Sequence, residues 1–331
     1  MAYTTIDDPS GIFTANLYSG NATNGTTIST GHTNDLIWTK GRAGTYGGRG
    51  LRIIDSVRGA TKVLYGDQDL AEGTNNSSSG VTGFASTSYT IGGDADFNGS
   101  GTTYVSWTWK IQAGVCDIQT YTGNGSARTI SHNLGAVPTM MIIKKRNTAA
   151  PWSVGHASLG ANQVLELNET DAVATDATYW NNTRPTSSVF TVGTDGNQNT
   201  DGHTYLIYLF GNKQGVSKMG NYTGNGNADG TFVYTGFKPA FVMQKSTTTT
   251  YGWQIYDNKR GGFNPENDEL VANLDSAETD GSGNGFPDFY SNGFKLRNTD
   301  INKNASGVTY IYMAFAENPF VTSTGVPATA R

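Results

Sequence analysis

Short apolar segments separated by polar, glycine-rich stretches run through the whole chain. The segments are rich in β-branched and aromatic residues, and clusters of Gly, Asn, Asp and Ser bound them. No window keeps the three- and four-residue apolar spacing of an amphipathic helix. The pattern therefore predicts an all-β protein built from many short strands joined by turns.

The apolar segments recur in the same order three times, about 100 residues apart. Each copy opens with a Tyr-x-Gly-Asn signature, at Tyr18, Tyr121 and Tyr222. Each closes with Asn-x-x-Gly-x-Thr-Tyr leading into an aromatic strand, in 98–110, 199–211 and 304–316. The closing strands are apolar on both alternating faces, so we expect them to lie centrally in a sheet.

Three further blocks lie between these signatures. An apolar strand ending in Lys is predicted in 35–40, 139–146 and 240–245. A second strand is predicted in 50–59, 151–160 and 251–261, and a shorter one in 87–92, 187–193 and 291–297. The alternating WQIYD of the third copy indicates a strand with one face in water.

A copy of about 100 residues has the size of one small β-sandwich. We predict three tandem β-sandwich repeats: 1–114, 115–215, and 216–331, which includes a C-terminal tail. The boundaries follow Gly114 and Gly215, where polar, glycine-bearing links separate the copies.

The motifs YTGNG and YMAFAENPF, with the runs around them, resemble a repeat family abundant in phages of marine bacteria, including those that infect cyanobacteria. The likeness covers nearly the whole chain. It implies a virion-associated structural protein, related to a tail or tail fibre or displayed on the particle surface. It also implies a concanavalin-like or jelly-roll sandwich.

We expect this protein to oligomerise, with a trimer among the candidate assemblies, and to dock on other virion proteins. Contact with a host surface glycan is a further expectation. The N-terminus has no basic segment followed by an apolar stretch, so we expect assembly in the host cytoplasm without a signal peptide.

Charge and composition argue against several classes of function. A net charge of −5 and the lack of a Lys/Arg run argue against nucleic-acid binding. No apolar run is long enough for a membrane helix, so membrane insertion is not expected. Cys116 is the single cysteine, which excludes an intrachain disulfide and is interpreted as an unreactive thiol.

We predict no enzymatic activity. The four histidines occupy different positions of the repeat, and no nucleophile or zinc-protease motif is present. The recurring Asp of Asp55–Arg58 and Asp257–Arg260 is the best candidate for a glycosidic acid. His156 takes that position in the middle copy, so a local ion pair is the preferred interpretation. The alternative function is a glycan-binding or glycan-degrading tail spike.

Two further features are candidates for ligand binding. Oxygen-bearing residues alternate before each closing strand, as at the start of a calcium loop: Asp94, Asp96, Asn98; Asp195, Asn197, Asn199; Asp300, Asn302, Asn304. Turn capping is the competing interpretation, and no other cofactor is expected. Trp180, in a polar stretch, is predicted to be exposed and to contact glycan, whereas Trp38, Trp152 and Trp253 are predicted to be core residues.

Overall fold

A computed structural model describes residues 3–280 and 287–329, which are almost entirely β. Helix in these residues is limited to one 3-10 turn, Pro9–Gly11, and three single-turn helices. These are α1 (Ala177–Trp180), α2 (Gly196–Asn199) and α3 (Ile301–Asn304). The predicted all-β class is confirmed.

The strands group into three units along the chain. Unit 1 contains β1 (Phe13–Ser19), β2 (Thr26–Ser29), β3 (Leu36–Gly44), β4 (Arg52–Asp55), β5 (Lys62–Tyr65), β6 (Gly73–Thr74), β7 (Val81–Phe84), β8 (Ser88–Ile91) and β9 (Thr102–Trp109). Unit 2 contains β10 (Cys116–Thr122), β11 (Arg128–Ser131), β12 (Met140–Lys145), β13 (Ser153–His156), β14 (Gln163–Glu166), β15 (Ala174–Thr175), β16 (Val189–Val192) and β17 (Thr204–Phe210). Unit 3 contains β18 (Ser217–Thr223), β19 (Phe232–Tyr234), β20 (Phe237–Ser246), β21 (Gln254–Asp257), β22 (Asp268–Val271), β23 (Thr279–Asp280), β24 (Asp288–Tyr290), β25 (Gly293–Lys295) and β26 (Thr309–Pro319).

Each unit pairs a six-stranded antiparallel sheet with a small outer sheet. The large sheets follow one strand order: β1-β9-β3-β4-β5-β6, β10-β17-β12-β13-β14-β15 and β18-β26-β20-β21-β22-β23. The small sheets are β2-β8-β7, β11-β16 and β19-β25-β24. Because an apolar layer lies between the two sheets of each unit, each unit is a sandwich.

The closing strands β9, β17 and β26 lie inside their sheets, each paired on both sides, as predicted. The expectation that the WQIYD strand has one face in water is wrong, since all four residues of β21 are buried. Ile255 packs into an apolar layer on one face and Tyr256 into another layer on the opposite face. The alternation of apolar and polar residues was misleading because the outer sheet of unit 3 covers the outer face of this strand.

The inner faces of the three large sheets share one hydrophobic core. At its centre meet the last aromatic residues of the closing strands. The ring centroids of Trp109, Phe210 and Phe315 lie 6.2, 5.5 and 5.9 Å apart, with interplanar angles of 60–71°. This near-equilateral triangle of equivalent residues indicates that the units surround a pseudo-threefold axis.

Outer cores differ among the units. The outer sheets of units 1 and 3 have three strands, whereas that of unit 2 has two. Helix α1 instead packs against β14 and β16 in unit 2. The cover over the outer face of the unit 2 large sheet is therefore less regular.

Both predicted boundaries, after Gly114 and Gly215, fall in tight turns between units. The turns are closed by the bridges Gln112↔Cys116 and Lys213↔Ser217. The division into three domains stays a prediction, and the shared core ties the units together.

Candidate functional site

The first Asp of each candidate calcium loop caps the turn that follows it. Asp94, Asp195 and Asp300 accept a hydrogen bond from the backbone N–H two residues later, at 3.0, 2.8 and 2.8 Å. Asp195 and Asp300 are the N-caps of α2 and α3. Capping satisfies backbone donors that a single helical turn leaves unpaired.

The third member of each candidate loop is fully buried. Asn98, Asn199 and Asn304 accept a hydrogen bond through Oδ1, at 3.0 Å in each case, from the backbone N–H of the Asn that ends the Tyr-x-Gly-Asn signature. The two signatures of each unit therefore contact each other. Both signatures are visible in the sequence, but their contact was not predicted. The available signal was that the two signatures are separated by nearly the same number of residues in every unit.

Two of the middle members have partners in separate places, whereas the side-chain oxygen of Asn302 is buried without a hydrogen-bond partner among the described residues. Asp96 pairs with Arg52 and Arg49, at 3.1 and 3.4 Å, and Asn197 Nδ2 donates to Tyr179 Oη at 3.2 Å. In residues 3–280 and 287–329, no group of three or more His, Cys, Asp and Glu side chains is arranged to hold a metal ion. A calcium site remains a prediction.

A pair of stacked tyrosines supports each signature. In unit 2 the rings of Tyr121 and Tyr205 lie 5.0 Å apart with an interplanar angle of 12°, and the other two units repeat this geometry. Tyr121 Oη donates to the Gln198 carbonyl at 2.8 Å. The strand opening and the strand closing each unit are thereby fixed to the same turn.

The recurring Asp–Arg pairs are ion pairs, as interpreted from sequence, and both are fully buried. Asp55 Oδ2 lies 2.6 Å from Arg58 Nε, and Asp257 Oδ2 lies 2.6 Å from Arg260 Nε. Each carboxylate also accepts a hydrogen bond from the next unit. Tyr208 Oη donates to Asp55 at 2.8 Å, and the Trp107 indole donates to Asp257 at 2.9 Å.

Two glutamates extend these pairs across unit boundaries. Glu72 lies 3.3 Å from Arg58 of its own unit and 2.8 Å from Arg146 of unit 2. Glu278 of unit 3 in the same way bridges Arg260, at 3.0 Å, and Arg42 of unit 1, at 2.6 Å. Charged networks thus join unit 1 to unit 2 and unit 3 to unit 1.

The boundary between units 2 and 3 is built without these charges. The positions equivalent to Asp55, Arg58, Glu72 and Arg146 hold His156, Leu159, Val173 and Thr247. Met313 takes the place of Tyr208 and has no hydrogen to donate, and His156 Nε2 instead lies 3.3 Å from the Tyr312 carbonyl. Burial lowers the pKa of His156 to about 4, which keeps the imidazole neutral. The four positions that carry the charged network elsewhere are therefore all neutral at this boundary.

The lysine that ends each apolar strand also crosses a unit boundary. Lys144 Nζ donates to the Asp69 carbonyl of unit 1 at 3.1 Å, and Lys245 Nζ to the Thr170 carbonyl of unit 2 at 3.0 Å. Lys40 donates to the Leu274 carbonyl of unit 3. Burial lowers the pKa of all three to about 8. The repeated lysine therefore joins neighbouring units.

The remaining candidates for chemistry occupy separate sites. His32 contacts Thr14 and Thr108, whereas His203 contacts Asn147. Cys116 is buried, and burial raises the pKa of its thiol well above the ordinary value. A thiol in that state is a weak nucleophile, which agrees with the unreactive role expected for it.

Trp180 is buried, with 3% of its surface exposed, so the predicted exposure is wrong. Its stretch folds into α1, and its indole donates to the Gln163 carbonyl at 3.0 Å. A pocket of 270 Å³ lies beside the ring. The Trp180 ring fits here because Gly155 stands where units 1 and 3 have Ile54 and Tyr256, and a Cβ atom at Gly155 would lie 2.9 Å from Trp180 Cζ2. The glycan contact stays a prediction.

The other tryptophans of the repeat match expectation. Trp38, Trp152 and Trp253 are core residues, at most 1% exposed. The indoles of Trp152 and Trp253 also donate to carbonyls of the preceding unit, at 2.8 and 2.9 Å.

A family model for a domain of unknown function (DUF7483) matches residues 8–319. The chain belongs to the DUF7483 family. The match begins before β1 and ends with β26, so the DUF7483 domain comprises all three large sheets and their shared core. A search of curated proteins finds no match. Among the described residues of this DUF7483 chain, no helix has the length and apolarity needed to cross a membrane.

Proposed function

We propose that this protein is a non-enzymatic structural and binding component of a bacteriophage particle, associated with the tail or a fibre or displayed on the surface. The resemblance of YTGNG and YMAFAENPF to a phage repeat family supports membership of the virion. The proposed role in the particle is to hold binding faces in fixed positions.

One observation carries the structural role: the recurring polar side chains join the units. Asp55, Asp257 and the three strand-end lysines have partners across a unit boundary. Carboxylates that are buried in ion pairs are poorly suited to proton transfer with a substrate. They are well suited to fixing the orientation of neighbouring sheets.

Internal pseudo-threefold symmetry suits a position on the axis of a tail or fibre. A single chain can there offer three similar faces, where identical chains would need to form a trimer. Other virion proteins are the proposed partners. Light scattering on the purified chain tests the predicted homo-oligomer, whose trimeric form would place nine large sheets in one assembly.

Immunogold labelling of intact particles tests virion membership. We expect gold at one defined location on each particle, with antibody against an unrelated host protein as the control. Label that is confined to lysed cell debris, with none on purified particles, would overturn the proposal.

A glycan-degrading tail spike is the competing function, and the pocket beside Trp180 and the open groove described below are the features that favour it. Incubating the pure protein with host envelope polysaccharide separates the two functions. We expect the polysaccharide to keep its size on gel filtration. Release of oligosaccharides would show that the protein is an enzyme.

A further inference from the structure

Two edge strands of unit 3 border an open groove. Strand β18 is the edge of the large sheet and β19 is the edge of the outer sheet. The space between them measures 660 Å³, and Ser158 of unit 2 contributes to its wall. Unit 1 has the equivalent groove between β1 and β2, with Lys259 of unit 3 at the place of Ser158.

The side chains facing outward from the edge strand of the outer sheet are one difference between these grooves. The buried residue of each edge strand pairs with an aromatic residue of its neighbour, Ile28 with Tyr89 and Val233 with Phe294, which aligns the strands. The two outward positions are Thr27 and Ser29 in β2, Thr129 and Ser131 in β11, and Phe232 and Tyr234 in β19. A surface that is hydroxylic in two units is aromatic in the third.

Both aromatic rings are exposed and yet held in place. Phe232 is 45% exposed and Tyr234 is 53% exposed. Phe232 packs edge-on against Tyr290, with ring centroids 6.0 Å apart. Tyr234 Oη lies 3.1 Å from Tyr3 Oη, and Tyr3 Oη donates to the Gly236 carbonyl at 2.8 Å. Because these contacts fix the rings in advance, a ligand would lose little of its binding energy in ordering them.

Polar side chains line much of the rest of the groove, together with Met219 and Val233. Lys218, Asn221, Thr223 and Thr231 lie along it. Tyr312 forms part of the lining beside Gly220, where a Cβ atom would lie 2.7 Å from the Tyr312 hydroxyl oxygen. The groove thus combines two fixed aromatic faces with donors and acceptors of hydrogen bonds.

We infer that this groove of unit 3 binds a polysaccharide chain of pyranose sugars. A pyranose ring has an apolar C–H face that stacks on an aromatic ring, and hydroxyl groups around its edge that need hydrogen-bond partners. Residues two apart on a strand lie about 7 Å apart on one face, so the two rings can contact successive parts of one chain. The open groove accepts a chain that continues at both ends.

A protein partner fits the groove less well. Docking of a second apolar surface requires a patch with few interruptions, and here lysine, asparagine and threonine side chains surround the aromatic pair. The inference specifies the binding part of the proposed function. It does not depend on virion membership, because binding is measured on the purified chain.

Affinity electrophoresis of the full chain tests the inference. Gels would contain a soluble glucan, mannan or galactan, or host envelope polysaccharide. We expect at least one of these to retard the protein. The double variant Phe232→Thr/Tyr234→Ser, which installs the residues of units 1 and 2, should bind that polysaccharide roughly tenfold more weakly because both stacking contacts are lost.

Phe263→Thr is the matched control, because it removes an aromatic ring that is 80% exposed at another place on unit 3. Its retardation should equal that of the unchanged protein. Unchanged melting temperatures would show that the variants are folded. The inference is overturned if no polysaccharide retards the protein, if the double variant is retarded as strongly as the original, or if ultracentrifugation shows that the double substitution dissociates a dimer.

Discussion

The glycine of each Tyr-x-Gly-Asn signature lies against the backbone of the turn before the closing strand. A Cβ atom at Gly20, Gly123 or Gly224 would lie 2.1–2.3 Å from a carbonyl oxygen of that turn. The neighbouring Asn needs this close approach, since its N–H donates to the buried Asn of the same turn. The recurrence of Gly is therefore explained by packing between two turns.

Gly123→Ala should destabilise the protein by about 1–3 kcal/mol, because the turn must move away and its hydrogen bonds lengthen. Urea denaturation measures the change. Gly11→Ala is the control, since no heavy atom lies within 4 Å of the Cβ position there. Equal stability of the two variants would show that the close contact at Gly123 does not contribute to the free energy of unfolding.

His156 makes stability depend on pH. Its pKa is lowered from 6.5 to about 4 in the folded protein, mainly by burial and further by the charge of Arg184. Between these values the unfolded chain binds a proton that the folded chain does not, so stability falls as pH decreases from about 6.5 to about 4. This contribution amounts to roughly 3 kcal/mol.

His156→Gln removes that titration and keeps an N–H for the Tyr312 carbonyl. Urea unfolding at pH 7.5 and 4.5 gives the change in unfolding free energy on acidification for the original protein and for the variant. Contributions of the other titrating groups cancel when the two changes are subtracted. We expect the original to lose roughly 2–3 kcal/mol more than the variant on acidification. An equal loss in both proteins would mean that His156 is protonated in the folded state.

At the scale of strands, the sequence was sufficient to predict the class and the central closing strands. Blocks that are apolar on alternating or both faces, bounded by turn residues, report burial directly. The error at β21 arose because strand alternation describes one sheet and its core. It contains no information on further layers. Here the outer sheet, through Phe294, covers the strand face that was predicted to lie in water.

The candidate sites were less predictable, for a related reason. The Asp/Asn turns were visible as a pattern, but capping and metal binding use the same oxygens, and only the position of a second turn separates the two. Trp180 was expected in water because its neighbours in sequence are polar. A single helical turn is enough to bury it, with Asp176 as its N-cap. Neither feature is encoded in local periodicity.

Equivalent positions are packed in two ways at the boundaries between units. A charged network joins units 1 and 2, whereas neutral residues join units 2 and 3. Removing one member of a buried ion pair leaves its partner without compensation, whereas replacing a whole network with matched apolar residues is often neutral. Arg58→Leu alone should therefore cost roughly 3–5 kcal/mol. The replacement of Asp55 by His, Arg58 by Leu, Glu72 by Val, Arg146 by Thr and Tyr208 by Met copies the boundary between units 2 and 3, and should recover most of that loss.

Unfolding in urea measures both variants. Arg49→Leu is the control, because Arg49 pairs with Asp96 at the surface with 42% of its side chain exposed, and should cost less than about 1 kcal/mol. If the fivefold variant were as unstable as Arg58→Leu, the neutral boundary would not be transferable, and its stability would depend on residues outside this set.

For the whole molecule, the shared core decides whether the units are separable. Each unit has its own outer core, but its inner face packs against the other two units in the shared core. Unit 2 contributes Ile142, Trp152, Tyr208 and Phe210 to that core, all fully buried. Cutting at the predicted boundaries would expose these residues together with the partners of Lys144 and His156.

A fragment of residues 115–215 should consequently fail to fold cooperatively, although a sandwich of this size can in general be stable. Exposure of one whole apolar face removes the burial that balances the loss of conformational entropy. The full chain should unfold in a single calorimetric transition, because the loss of one unit uncovers the inner faces of both others. Near-ultraviolet circular dichroism and thermal melts of fragment and full chain test this. A fragment with native-like aromatic signals and a sharp melt, or three separate transitions in the full chain, would show instead that the units are independent domains joined by the turns at Gly114 and Gly215.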